Sequence, residues 1–148
     1  MIVKDTIITL ANGVRKKIDW LVDSRKQDIT YRALTYNISE QKRENKTINA
    51  FIKQENNQKI ITLLVKSMNQ MLILNCTDDH QIFSKDKNTY VKVNELEEND
   101  KVVTWVNNEI NEGIIFKKVY NPQKIEYVYD LDIEDNNNMF ANGILVLN

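Results

Sequence analysis

Three glycines and one proline must serve a 148-residue chain that is otherwise written in short β-branched and apolar runs. The usual turn formers are nearly missing, so Asn and Asp must do much of the turning. They can, because both tolerate left-handed backbone angles that most side chains avoid. Residues 6–10 (TIITL) and 14–16 flank Asn12-Gly13, a strong hairpin signal. Residues 18–22 (IDWLV) place apolar side chains at i, i+3 and i+4 and predict one or two helical turns. Residues 29–36, 47–53 and 59–66 read as strands, and 39–46 as a charged loop. Residues 71–76 pair with 59–66 across a turn at 67–70. Further strands are expected at 81–84, 89–93, 101–105, 114–120, 126–133 and 144–146, with a helical turn at most over 94–98. The polar stretch 107–112 is the best candidate for a flexible junction. About ten short strands with almost no helix make an all-β fold.

The length fits one domain, residues 1–148. Hydrophobic content of 42% and a net charge of -1 describe an ordinary globular protein and argue against a dedicated nucleic-acid surface. No apolar run approaches the roughly 18 residues of a membrane helix. The N-terminus lacks a signal-peptide pattern, so a cytoplasmic location and no membrane partner are expected. One cysteine, Cys76, excludes an internal disulfide, and one histidine, His80, excludes a multi-histidine metal site. Trp20 and Trp105 read as core residues.

Two stretches carry chemistry. Thr77-Asp78-Asp79-His80 follows a strand, and a hydroxyl and an imidazole three residues apart at a turn can both reach one backbone amide. An Asx-type turn with a surface histidine is the plainer alternative. The last twenty-one residues run strand, Asn-rich turn, strand, and end at Asn148. An Asn amide can attack its own carbonyl, close a succinimide and cleave the following peptide bond. A chain ending there is consistent with such a cleavage, or with an arbitrary end.

These motifs resemble those of inteins, the self-splicing members of the Hint superfamily. Thr77-Asp78-Asp79-His80 after MLILNC resembles the Thr-x-x-His motif. Met1–Ile8 is similar to the opening motif, which has Asp-Thr at positions five and six. Residues 90–96 and 99–103 resemble the segment after Thr-x-x-His, with Asn99 where the family often has Gly. Residues 128–131 and 141–146 resemble the C-terminal motifs, and Asn148 the terminal Asn. The resemblance spans essentially the whole chain. It implies a β-horseshoe of ten or more short strands, pseudo-symmetric, that brings both termini to one site. It also implies an acyl shift at residue 1, transfer to a nucleophile after the domain, cyclisation of Asn148 and a final shift to a peptide bond, with no cofactor and no metal. The partners implied are the flanking extein segments of a host protein, and a monomer is expected on fold analogy. His80 would protonate the nitrogen of the N-terminal scissile amide, Thr77 would polarise the same bond, Asp130 would couple the two ends, and Asn148 would cyclise.

Three residues depart from the pattern. Met1 stands where the family has a Cys or Ser, and a thioether has no proton to transfer, so the first step is expected to be inactive. Leu147 replaces the frequent penultimate His, and Asn137 replaces a His of the preceding motif. Asp130, a water or His80 would then have to assist Asn148. Cys76 reads as a buried small side chain. The chain has no room for an endonuclease insertion, so a mini-intein is expected, with residues 106–113 the place where a split or loop would fall. A Hint-fold domain that only cleaves itself, or that has become a structural module, is the alternative.

Overall fold

The computed structural model describes residues 1–148 and consists of thirteen strands and one short helix. β1 (Ile7–Thr9) and β2 (Arg15–Lys17) form a hairpin around the 3-10 turn Ala11–Gly13, and α1 (Ile18–Asp23) follows directly. β3 (Arg32–Asn37) pairs with the long β4 (Lys42–Glu55), and β5 (Ile60–Ser67) with β6 (Gln70–Thr77). β7 (Gln81–Ser84) and β8 (Thr89–Lys92) make the next hairpin, then β9 (Lys101–Val106) and β10 (Glu109–Asn121). β11 (Tyr127–Ile133), β12 (Asn138–Ala141) and β13 (Ile144–Leu147) complete the chain.

Asparagine makes the turns, for the reason the composition requires. Of eleven non-glycine residues with positive φ, eight are Asn and one is Asp135, so the glycine shortage is met by the side chains best able to replace it. Asn99, where the resembled family often carries Gly, has φ 73°. Asn142-Gly143 has φ of 48° and 82° and closes the β12–β13 hairpin in the twist-matched form.

Three sequence expectations need correction. The segment 39–46 is not a loop beyond Gln41; from Lys42 onward it is the start of β4. Its alternation is hidden because both faces are polar, and pairing with β3 rather than an apolar stripe orders it. The proposed flexible junction is a two-residue turn, Asn107-Asn108 (φ 54° and 59°), with β10 beginning at Glu109. Gly113 there is a packing residue: an added Cβ would lie 2.6 Å from Thr104 Cγ2 and 2.7 Å from Val65 Cγ1. Residues 138–141 form a strand, entirely buried, that the Asn run before it disguised as part of a turn.

Ten strands share one sheet in the order β2-β1-β12-β13-β7-β9-β10-β5-β6, with β8 on β7, and β11-β4-β3 form a second. The first residues of the chain join the two. Ile2 exchanges backbone hydrogen bonds with Tyr129 of β11 (2.9 and 2.8 Å), Val3 N–H donates to Asn75 O of β6 (3.3 Å), and Thr77 N–H donates to the Met1 carbonyl (2.9 Å). The Ile2 side chain is wholly buried in the main core beside Cys76 and Leu131. Burial of that size contributes about 1.5–3 kcal/mol, enough to hold Met1 in one place. At the other end, Val146 of β13 pairs with Ile82 of β7, two residues from His80. Both ends of the chain are thereby delivered to the end of β6. No helix is long and apolar enough to cross a membrane.

Candidate functional site

Thr77 is the last residue of β6, and the chain reverses through Asp78-Asp79 into His80. The reversal is fixed from both sides. His80 N–H donates to Thr77 O (3.0 Å), Val93 N–H to His80 O (2.8 Å) and Asn94 N–H to Asp78 O (3.1 Å). The two side chains are buried, at 2% and 6% exposure, so neither is the surface turn residue of the plainer reading.

Both meet residue 1. The Met1 nitrogen donates to Thr77 Oγ1 (2.9 Å) and shares a 2.6 Å contact with His80 Nδ1. Thr77 Oγ1 also donates to the Met1 carbonyl (3.3 Å), beside the backbone bond from Thr77 N–H. A peptide nitrogen at this position would face a hydroxyl and an imidazole together. Burial, reinforced by the Met1 amine charge, holds the His80 ring well below its ordinary range, while the nearby Leu147 backbone pulls the other way. The ring is therefore neutral at pH 7. Burial lowers the Met1 amine as well, against the pull of Asp130, Cys76 and Asp79. The Met1 side chain packs against Val3, Ile60 and Val128. Burial pushes the Cys76 thiol up to about 12, which keeps it a neutral core side chain.

The C-terminal residue is held as firmly. Asn148 N–H donates to Asn137 O (2.9 Å), and its side-chain Nδ2 donates to Leu131 O (2.8 Å). Its Oδ1 is buried and has no hydrogen-bond partner. Asp130 precedes the carbonyl that holds Nδ2. Burial raises its carboxyl to about 6, opposed by the Leu131 N–H on Oδ1 (2.8 Å) and by the Met1 amine.

Met1, Thr77, His80, Asp130 and Asn148 thus line one cleft of about 250 Å³, with Leu147 among its walls. Larger depressions, of about 450 Å³ beside Trp105 and about 620 Å³ beside Tyr120, hold none of these five. Trp20 and Trp105 are half-buried and pack on the cores. Asn137 is not in the cleft; its side chain donates to Asp135 O (3.3 Å) in the preceding turn. No group of three or more His, Cys, Asp or Glu gathers as metal ligands would.

Other asparagines hold the site without touching it. Buried Asn138 makes a two-way bond with the Tyr36 backbone (2.9 and 2.8 Å) and donates to Tyr90 OH (3.1 Å). Asn142 accepts from Ile7 N–H (2.7 Å) and donates to Ile73 O (2.7 Å), tying the last hairpin to β1 and β6. The loop after β4 adds a rim of amides, with Gln58 donating to Asp79 (3.2 Å). Sequence reasoning missed all of these. The one available signal was Asn138 at the head of the apolar run 138–141, where only a bonded amide is tolerated.

Solved structures match this arrangement over nearly its full length. The PabCDC21-1 intein superposes with a TM-score of 0.83 at 24% identity, covering 99% of this chain and 96% of that one. The chain has the intein fold. The DnaB intein from Synechocystis sp. PCC 6803 matches with a TM-score of 0.79 at 21% identity, covering 99% and 96%. A bacterial intein-like domain from Clostridium thermocellum shares the intein fold equally well, with a TM-score of 0.79 at 20% identity, covering 99% and 97%. No protein-family model matches the sequence, and no curated protein does. At these identities the likeness establishes the intein fold, and what the domain does rests on the residues of its cleft.

Proposed function

We propose that this chain is a protein-splicing domain that excises itself from a host protein and joins the flanking segments. One observation carries the reading: residues 1 and 148 lie in one cleft, the first bonded to Thr77 and His80, the second held by its nucleophilic amide. A domain that only bound a partner would have no use for a reactive amide beside a buried imidazole. The reaction needs an acyl shift at residue 1, transfer to a Cys, Ser or Thr after Asn148, succinimide closure by Asn148 and a final shift to a peptide bond. His80 Nδ1 takes the proton of the residue-1 nucleophile and returns it to the departing nitrogen, and Thr77 polarises the same bond. Asp130 lines the same cleft as both ends and serves both, as a carboxylate whose raised pKa lets it accept and return a proton. Fixed placement of the two ends contributes to the acceleration by holding the reacting groups in reach of one another.

With Met1 in place the acyl shift cannot begin. A second reading, a domain that only cleaves at its C-terminal side, is favoured by that same residue and by the likeness to the bacterial intein-like domain. The test is to place the Met1→Cys protein between two reporter proteins, with Cys after Asn148, and follow intact mass. Joined reporters and a free 148-residue domain are the expected products. Neither ligation nor cleavage, with Cys, Ser or Thr in that position, would overturn the splicing reading.

A further inference from the structure

The molecule leaves two buried side-chain polar atoms without a hydrogen-bond partner, His80 Nε2 and Asn148 Oδ1. An unmade buried hydrogen bond costs about 1–3 kcal/mol, so two such atoms together, in one small cleft, call for an explanation. Neither belongs to the N-terminal contacts. His80 Nδ1 is already on the Met1 nitrogen, and the Leu147 backbone lies near the ring as an acceptor that favours its charged form, in a geometry short of a full hydrogen bond to Nε2. The ring is thus placed between residue 1 on one side and the last peptide units on the other. With the amine donating to Nδ1, the single proton of the neutral ring lies on Nε2, and the nitrogen left over is a donor. There is no other histidine in the chain, and the nearest alternatives, at 137 and 147, are Asn and Leu.

We infer that His80 serves both junctions: while Nδ1 holds the nitrogen of residue 1, the Nε2–H donates to the oxyanion formed on the Asn148 carbonyl during succinimide closure. The inference rests on the splicing reading and assigns the second step to the same ring as the first. Closure forms the Nδ2–C bond, moves the carbonyl electron pair onto oxygen, then re-forms the carbonyl and breaks the C–N bond to the following residue. The proton leaving Nδ2 passes to the Asp130 carboxylate and from there to the departing amine, so protons balance without the ring losing its own. A neutral imidazole suits the task, because it donates a hydrogen bond to the oxyanion without surrendering a proton. Leu131 O, holding Nδ2, fixes the amide beside its own carbonyl carbon.

Met1 makes the test direct, since it blocks the first step and leaves C-terminal cleavage as the only reaction. A reporter beginning with Ala is fused after Asn148 in the full chain, and its release is followed by mass, with the aminosuccinimide on Asn148 as the signature. Release is expected, and His80→Ala should slow it by about 10²-fold, the usual effect of one oxyanion donor. Adding Leu147→His to His80→Ala should restore release to within about tenfold of the parent, which also shows that the variant folds. Release unchanged in His80→Ala but abolished in Asn148→Ala would overturn the inference and leave the splicing reading standing. A loss that Leu147→His does not restore would overturn it too. No release from the Met1 protein, while Met1→Cys still forms a thioester, would do the same; failure of both would remove the splicing reading with it.

Discussion

On the splicing reading proposed above, the two junctions of this domain are incomplete in opposite ways. At the N-terminal junction the surrounding groups are all in position: Thr77 and His80 contact the nitrogen of residue 1, and Thr77 also binds its carbonyl. What is missing is the reagent, because Met1 supplies no nucleophile. At the C-terminal junction the reagent is present and held, with the Asn148 amide on Leu131 O. What is missing is the local imidazole, since residues 137 and 147 are Asn and Leu. The difference teaches that placing a reacting group and assisting it are separate tasks in this fold. Strand pairing does the first, and a few side chains do the second.

The largest effect should come from removing assistance where it is complete. In the Met1→Cys protein, His80→Ala should lower the rate of thiol-induced N-terminal cleavage by about 10²–10⁴-fold, the range for a positioned acid–base group. A change of less than about tenfold would mean that strain and Thr77 suffice there, and the contrast between the junctions would collapse. Next comes supplying assistance where it is lacking. Leu147 lines the cleft, so Leu147→His places an imidazole against the reacting amide and should speed C-terminal release by about 10–100-fold. An unchanged rate would show that the C-terminal side already has all the help it can use.

How much of this could be read beforehand follows the same division between local chemistry and long-range placement. Asn12-Gly13 announced its hairpin, because a dipeptide suited to positive φ between apolar runs has few other uses. The candidate site residues were named from local spacing and family resemblance. Their convergence on one cleft was expected only through that resemblance; composition and spacing do not carry it, since it depends on Ile2 bonding to Tyr129, 127 residues away, through backbone groups that any sequence possesses. Polar strand was misread for a related reason: residues 42–46 and 109–112 lack an apolar stripe, and only their partners make them strands. Asn138 shows the limit most clearly. Within its own stretch it is the third Asn of a turn, and only the distant Tyr36 backbone makes it a buried brace.

Asp130 and His80 put the comparison into a pH profile. The Asp130 carboxyl is raised from 3.8 to about 6, so between those values the native state binds the extra proton and stability falls as pH rises. His80 is lowered from 6.5, so below that value the unfolded state binds the extra proton and stability falls as pH drops. Below about pH 6 the two slopes oppose one another. Asp130→Asn should therefore stabilise the protein at pH 7.5 by about 1–3 kcal/mol. It should also unmask a steep loss on acidification below pH 6.5. Urea unfolding at pH 4.5, 6 and 7.5 would show it. Parallel curves for the two proteins would mean that Asp130 is solvated, and its place between the junctions would be lost.

The smallest effect separates the two absent imidazoles from one another. Position 137 lies outside the cleft: the Asn137 side chain is exposed, its amide bonds to Asp135 O, and only its backbone carbonyl reaches Asn148. Its φ of 52° is one that His adopts more readily than most residues but less readily than Asn. Asn137→His should thus cost about 0.5–1 kcal/mol of stability. It should change C-terminal release by less than about threefold, since the carbonyl that holds Asn148 is retained and the new ring begins in solvent. An acceleration matching that of Leu147→His would show that residues 134–138 swing toward the cleft when the chain continues past Asn148. The C-terminal junction would then be assembled by the flanking segment, in contrast to the N-terminal one, which strand pairing has already built.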